Sequence, residues 1–127
     1  MENKTSLTYR NMVEMDVREL NSYIEEYYIV KVPSEIDTPE GMKEASEALV
    51  RANAYNSYFT NKAMDMKILK RKLKREKAPA ELIEDALTRE EIFTKTAELA
   101  KFAYNTVSRL ITIKQEMNYE LRMTNAM

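Results

Sequence analysis

The chain predicts an all-α protein: a short N-terminal helix, an extended linker, then two long antiparallel helices that form a hairpin and oligomerise through apolar helix faces. Three observations predict it. Glycine occurs once, at Gly41, and proline three times in 127 residues, while 32% of the chain is charged. Long helices accept that mix better than sheets do. Ala45, Ala52, Phe59, Met66 and Leu73 recur at a strict seven-residue interval, the spacing of a helix seam. No breaker interrupts the chain between Gly41 and Pro79, or after Pro79. At this length a single domain is expected.

The first helix is placed at about residues 6–28, starting near Thr5 to Thr8. Tyr9, Val13, Leu20, Ile24 and Tyr27 or Tyr28 recur at helical spacing, with Met12 and Val17 beside them. Residues 29–37 follow as an extended linker, because Ile29, Val30 and Val32 are β-branched and Pro33 disfavours helix at Val32. A second helix is set at 38–77. Asp37 or Thr38 caps it, Pro39 suits its first position and Glu40 favours the positive end of its dipole. Met42, Leu49 and Ala63 hold the partner heptad position, where Asn56 and Lys70 are polar exceptions. Residues 78–87 read as a connection with one short helical turn opened by Pro79. Thr88-Arg89-Glu90-Glu91 is a capping box for a last helix at 88–123. Its stripe runs through Phe93, Ala97, Ala100, Tyr104, Val107 and Ile111, then drifts to Leu110, Ile113, Met117 and Leu121. A straight helix carrying a 3.5-residue pattern drifts in that way. Three helices of unequal length leave part of both long stripes uncovered, which predicts a homo-oligomer.

Composition removes most chemistry. With no His and no Cys, the common triads and dyads and ordinary zinc sites are excluded. One glycine makes no phosphate-cradling loop. Pairs such as Glu25/Glu26, Glu84/Asp85 and Glu90/Glu91 read as solvated or capping carboxylates. No enzyme activity, catalytic residue, cofactor or metal is therefore expected. No apolar run is long enough to span a membrane, and the first residues lack the apolar region of a secretory signal. The absence of cysteine fits a reducing interior, so a cytoplasmic location is expected.

Charge is segregated. Residues 1–50 carry net −6, residues 51–77 net +7 and residues 78–127 net −2. The positive block is KILKRKLKREK, residues 67–77. On a helix Lys67, Lys70, Arg71 and Lys74 share one face, Arg75 extends it and Lys77 borders it. One reading is a solvated helix end, since cations suit the C-terminal dipole. The other is a polyanion-binding surface, because like charges at these spacings repel and few acids are interleaved, Glu76 alone within residues 67–77. Tyr55 and Tyr58 just upstream are either core residues or stacking platforms for unpaired bases. Asn56 on the seam is expected to set register or oligomer state.

Near the C-terminus the chain reads Arg109-Leu-Ile-Thr-Ile113-Lys114, with Leu121-Arg122 after it. This is similar to an Arg-x-x-x-Ile-Lys signature, followed by a hydrophobic residue and an Arg, in the last helix of the UvsY recombination-mediator family of T-even phages and their relatives. The order of elements also resembles that family over most of the chain. The resemblance implies a homo-oligomeric, ring-like helical protein that binds single-stranded DNA without reading sequence. It would help load a RecA-like recombinase onto strands covered by single-strand-binding protein, in a host cytoplasm if phage-encoded. By the same resemblance, Lys67, Lys70, Arg71, Lys74, Arg75 and Lys77 would hold phosphates. Val107, Ile111, Met117 and Leu121 would form the assembly face, while Arg109 and Lys114 would contact DNA or form a polar rim. The alternative is a helical protein-interaction module, such as a phage-encoded inhibitor of a host protein. The acidic surface of Glu14, Asp16, Glu19, Glu25 and Glu26 would then mimic DNA.

Overall fold

The computed structural model describes Met12, residues 15–33 and residues 36–126. Among the described residues three helices are bounded, in order α1 (Val17–Tyr27), α2 (Pro39–Arg75) and α3 (Ala80–Ala126), and Met12 before them is helical. Among the described residues there is no strand, and no helix is long and apolar enough to cross a membrane. The two long helices pack along each other, and α1 lies against them.

Helix α1 is shorter than its periodicity suggests. Met15 and Asp16 are not helical, and Asp16 holds φ −58° and ψ 148° as the N-cap. Asp16 stands at the N-cap by its backbone angles, and its side chain makes no capping hydrogen bond. The expected helical positions Tyr9 and Val13, and the start near Thr5 to Thr8, lie outside the described residues. Leu20 and Ile24 face inward and are buried, while Tyr27 is exposed. Residues 29–33 belong to neither helix nor strand.

The start of α2 follows its sequence signals. The Thr38 hydroxyl accepts the Gly41 N–H at 2.9 Å, and Pro39 opens the helix. Asp37 instead accepts from Lys114 Nζ at 2.7 Å, tying the beginning of α2 to α3. At 37 residues, α2 is about 55 Å long. Its end is a Schellman turn: Ala78 N–H reaches Leu73 O at 2.9 Å and Lys77 N–H reaches Lys74 O at 3.2 Å. Lys77 takes the left-handed position with φ 55°, where glycine ordinarily sits.

The connection closes at once. Residues 80–87 of the expected connecting segment 78–87 belong to α3, which starts at Ala80 and runs 47 residues. Pro79 O accepts from Leu82 at 3.1 Å and from Ile83 at 3.5 Å, so proline seeds the helix itself. Thr88 is thus inside a helix. Its hydroxyl donates back to Glu84 O at 2.9 Å, a bond as available to threonine as capping is. With no glycine or proline after Pro79, nothing ends the first turns before the next begin.

The core has two parts. Near the middle, Met12, Leu20 and Ile24 close over Phe59, Phe93 and Ala97. The rings of Phe59 and Phe93 stack at 6.0 Å. Each of these large apolar side chains contributes about 1.5–3 kcal/mol by leaving water. Toward the start of α2, Ala45 and Ala48 meet Val107, and alanines there let the helix axes approach closely. Ala103 is buried and Tyr104 is exposed, the reverse of the expected stripe. The inward face of α3 is centred between them. The Asn56 side chain donates to Ala97 O at 2.8 Å and pins the register of the hairpin.

Candidate nucleic-acid interface

The last turns of α2 carry the basic strip. Its outward position follows from the seam: Phe59, Met66 and Leu73 turn one face inward, so residues offset from them face solvent. Lys67, Arg71, Lys74, Arg75 and Lys77 are all exposed. Lys67, Arg71 and Lys74, spaced four and three residues apart, form one continuous outward row. The left-handed turn at Lys77 carries that residue around the tip.

Lys70 sits differently. Its ammonium donates to Glu90 Oε2 at 2.8 Å, both side chains being 19% exposed. It serves as an interhelical tie. The compensating acid that the strip lacks in sequence is supplied in space by the first turns of α3. Residues 67–77 carry net +6 and residues 80–91 carry net −4, and the hairpin sets these stretches side by side. The tip therefore has a basic α2 side and an acidic α3 side, with Glu81, Glu84 and Asp85 exposed on the latter.

A cleft of about 290 Å³ between α2 and α3 continues the strip toward the middle of the molecule. Thr60, Met64 and Lys67 line one wall, and Thr94, Glu98 and Lys101 the other. Tyr55 and Tyr58 are not on that wall. Tyr55 meets Tyr28 edge-on at 5.2 Å, Tyr58 meets Phe59 at 5.1 Å, and both pack against the central core. They are core aromatics. Lys62 is buried with its ammonium 5.6 Å from the Tyr58 ring centre, a cation–π contact. Burial, and then the neighbouring hydroxyls of Tyr23 and Tyr55, push the Tyr28 phenol up to about 12.

The candidate assembly residues fall into two groups. Val107 is fully buried against Ala45 and Ala48. It has no surface left for a second copy and belongs to the α2–α3 seam rather than to the expected assembly face. Ile111 packs at the edge of the same cluster. Met117 and Leu121 are 52% and 58% exposed, on a stretch of α3 that projects past its last tie to α2 at Lys114. Lys114 is a polar rim of that seam through Asp37, and Arg109 is exposed.

One residue that matters to the fold was hidden in the capping-box pattern. The Arg89 side chain, 11% exposed, bonds Asp85 Oδ2 through Nε at 2.8 Å. Its Nη1 donates to Met12 O at 3.4 Å and its Nη2 to Met15 O. Arg89 thus fastens the segment preceding α1 to α3. The i,i+4 relation to Asp85 was readable from sequence; the backbone carbonyls were not.

A second concavity, of about 330 Å³, lies where α1 and residues 29–32 meet α3. Ile24, Val30, Leu99 and Phe102 make it largely apolar, with Glu25 and Lys95 at its rim. Comparison with protein families, curated proteins and solved structures finds no match to this chain.

Proposed function

We propose that this chain is a non-enzymatic, sequence-independent single-stranded DNA-binding protein that works as a homo-oligomer and assists the loading of a RecA-like recombinase. One observation carries the reading: five cations, Lys67, Arg71, Lys74, Arg75 and Lys77, stand exposed on the outer side of the hairpin tip. Cations so placed hold phosphates and leave the bases unread. Repetition of the tip in an assembly would multiply the field. The recombinase and single-strand-binding protein enter as partners through the family resemblance.

The test is fluorescence anisotropy of a labelled oligothymidine across a salt series. For a single strand, the logarithm of affinity falls with log salt with a slope of roughly −0.7 per phosphate neutralised. Five cations therefore set a slope near −3.5 per protomer. The triple change Lys67→Glu, Arg71→Glu, Lys74→Glu is expected to abolish most of the affinity and flatten the slope to about −1.5 or less. Lys70 is kept, since its loss would disturb the tie to Glu90. Absence of binding at low salt rules the reading out. The apolar concavity beside α1 favours a second reading, a helical protein-interaction module. That reading requires the triple variant to keep full function.

A further inference from the structure

Helix α3 carries a second apolar stripe besides the one facing α2. It runs from Leu99 and Phe102 through Thr106, Leu110 and Ile113 to Met117 and Leu121, at steps of three, four, four, three, four and four residues. That is an eleven-residue repeat, whose period near 3.67 keeps a stripe nearly straight along a helix. The stripe is turned away from the seam: Leu99, Phe102, Ile113, Met117 and Leu121 are each 43–69% exposed. Among the described residues none covers these five side chains, and Thr106 and Leu110 between them are half-buried. We propose that the stripe pairs with the same stripe of a second copy, antiparallel about a two-fold axis beside Ile113.

The register follows from the stripe and its charges together. Centred at Ile113, Leu110 meets Met117 of the second copy, Thr106 meets Leu121, and Phe102 meets Thr124. Ile113 thus meets its own counterpart and Leu110 meets Met117, while Phe102 and Leu121 meet threonines, and the end of one α3 reaches the apolar concavity lined by Leu99 and Phe102 of the other. Antiparallel packing brings the same flank of both helices together. Arg109 of each copy then lies beside Glu116 of the other, twice over. A centre at Leu110 would set Arg109 against Arg109, and a parallel pair would set Glu116 and Glu120 against themselves. Both alternatives oppose like charges. An interface of this kind is isologous and closes at two. The strip at the far end of the hairpin stays free, so any larger ring is built from dimers.

The inference rests on the oligomeric half of the function proposed above and on none of its nucleic-acid half. The full chain is measured by light scattering over a concentration range. The expected mass is twice 14.9 kDa, or an even multiple of it. Ile113→Arg sets two guanidinium groups at the axis and should halve the mass; at 43% exposure, the site leaves helix content by circular dichroism unchanged. Arg109→Glu and Glu116→Arg should each weaken association at least tenfold, and the two together should restore it. This exchange tests the register even if the Ile113 variant folds poorly. A wild-type mass of 14.9 kDa at every concentration overturns both the pairing and the oligomeric reading. An assembly that Ile113→Arg leaves intact overturns the pairing alone, as does a double charge exchange without rescue.

Discussion

Replacing Arg89 by methionine should release α1 while leaving the hairpin closed. The guanidinium is 11% exposed and donates to two backbone carbonyls, at Met12 and Met15, besides its pairing with Asp85. A hydrogen bond from a charged donor contributes about 1.5–3 kcal/mol, and a carbonyl left buried without a partner costs about 1–3 kcal/mol. The contact to Met12 is long at 3.4 Å and counts for little. The Asp85 pair is half exposed on the acid's side and is worth under about 1 kcal/mol. The loss should therefore be about 2–4 kcal/mol, dominated by Met15. Urea unfolding measures the total, and amide hydrogen exchange at Leu20 and Ile24 locates it. A drop of 2 kcal/mol corresponds to roughly thirtyfold faster exchange through local opening, with amides of α2 and α3 near Val107 unchanged. Asp85→Asn is the control and should cost under about 1 kcal/mol. A total loss below about 0.5 kcal/mol, or α1 amides as protected as before, refutes the assignment of Arg89 as the fastener.

Two further predictions follow from local geometry. Lys77→Gly removes the cost of a side chain at φ 55°, typically about 1–2 kcal/mol, against a smaller gain of unfolded-state entropy. Thermal unfolding should shift upward by a few degrees, and a downward shift contradicts the left-handed turn. The Tyr28 phenol titrates at about 12 rather than 10, so the folded chain holds this proton more tightly than the unfolded chain. Its contribution to stability is complete below pH 10 and is lost as pH rises toward 12. Tyr28→Phe should remove a step near pH 12 from the alkaline ultraviolet titration and flatten stability over that window, and an unchanged step there places it on another tyrosine.

The fold class and the α2 seam were legible because their causes are local. Ala45, Ala52 and Phe59 are fully buried at the seven-residue interval, and Thr38 caps α2 as its type dictates. Asn56 was readable as a register residue, though its partner, the Ala97 carbonyl, lies 41 positions away and no local pattern points to it. The break at Met15–Asp16 was missed because apolar spacing continues across it; the carbonyls freed there are taken by a side chain from another helix. The Thr88 start was read from a motif that a helix interior satisfies equally well, through the bond to Glu84. Val107 joins the assembly face only through the family resemblance, which treats Val107, Ile111, Met117 and Leu121 as one element. Yet α3 outruns α2, so one end of the same helix is core and the other is bare. The lack of a breaker after Pro79 was readable; where the partner helix stops was not.

The tip shows why local sequence overstates its charge, and under which conditions that matters. Within residues 67–77 no acid relieves the repulsion except Glu76, and a bound polyanion looks necessary. In the hairpin, Glu90 relieves Lys70 directly, and Glu81, Glu84 and Asp85 lie on the neighbouring helix. The axes of packed helices stand about 8–10 Å apart. A strand lying along Lys67, Arg71 and Lys74 touches cations and has the acids roughly one helix diameter behind them. At about 0.1 M salt the Debye length is near 10 Å, so the acids are largely screened and the contact cations dominate. At about 0.01 M it is near 30 Å, and the strand feels both sets at once. The logarithm of affinity should therefore rise along a straight line as salt falls toward 0.1 M, then bend below that line. Glu84→Gln with Asp85→Asn should straighten the bend without altering the slope at higher salt. A strip without acids behind it would give one line throughout, so a straight plot for the wild-type chain would remove α3 from the account of binding.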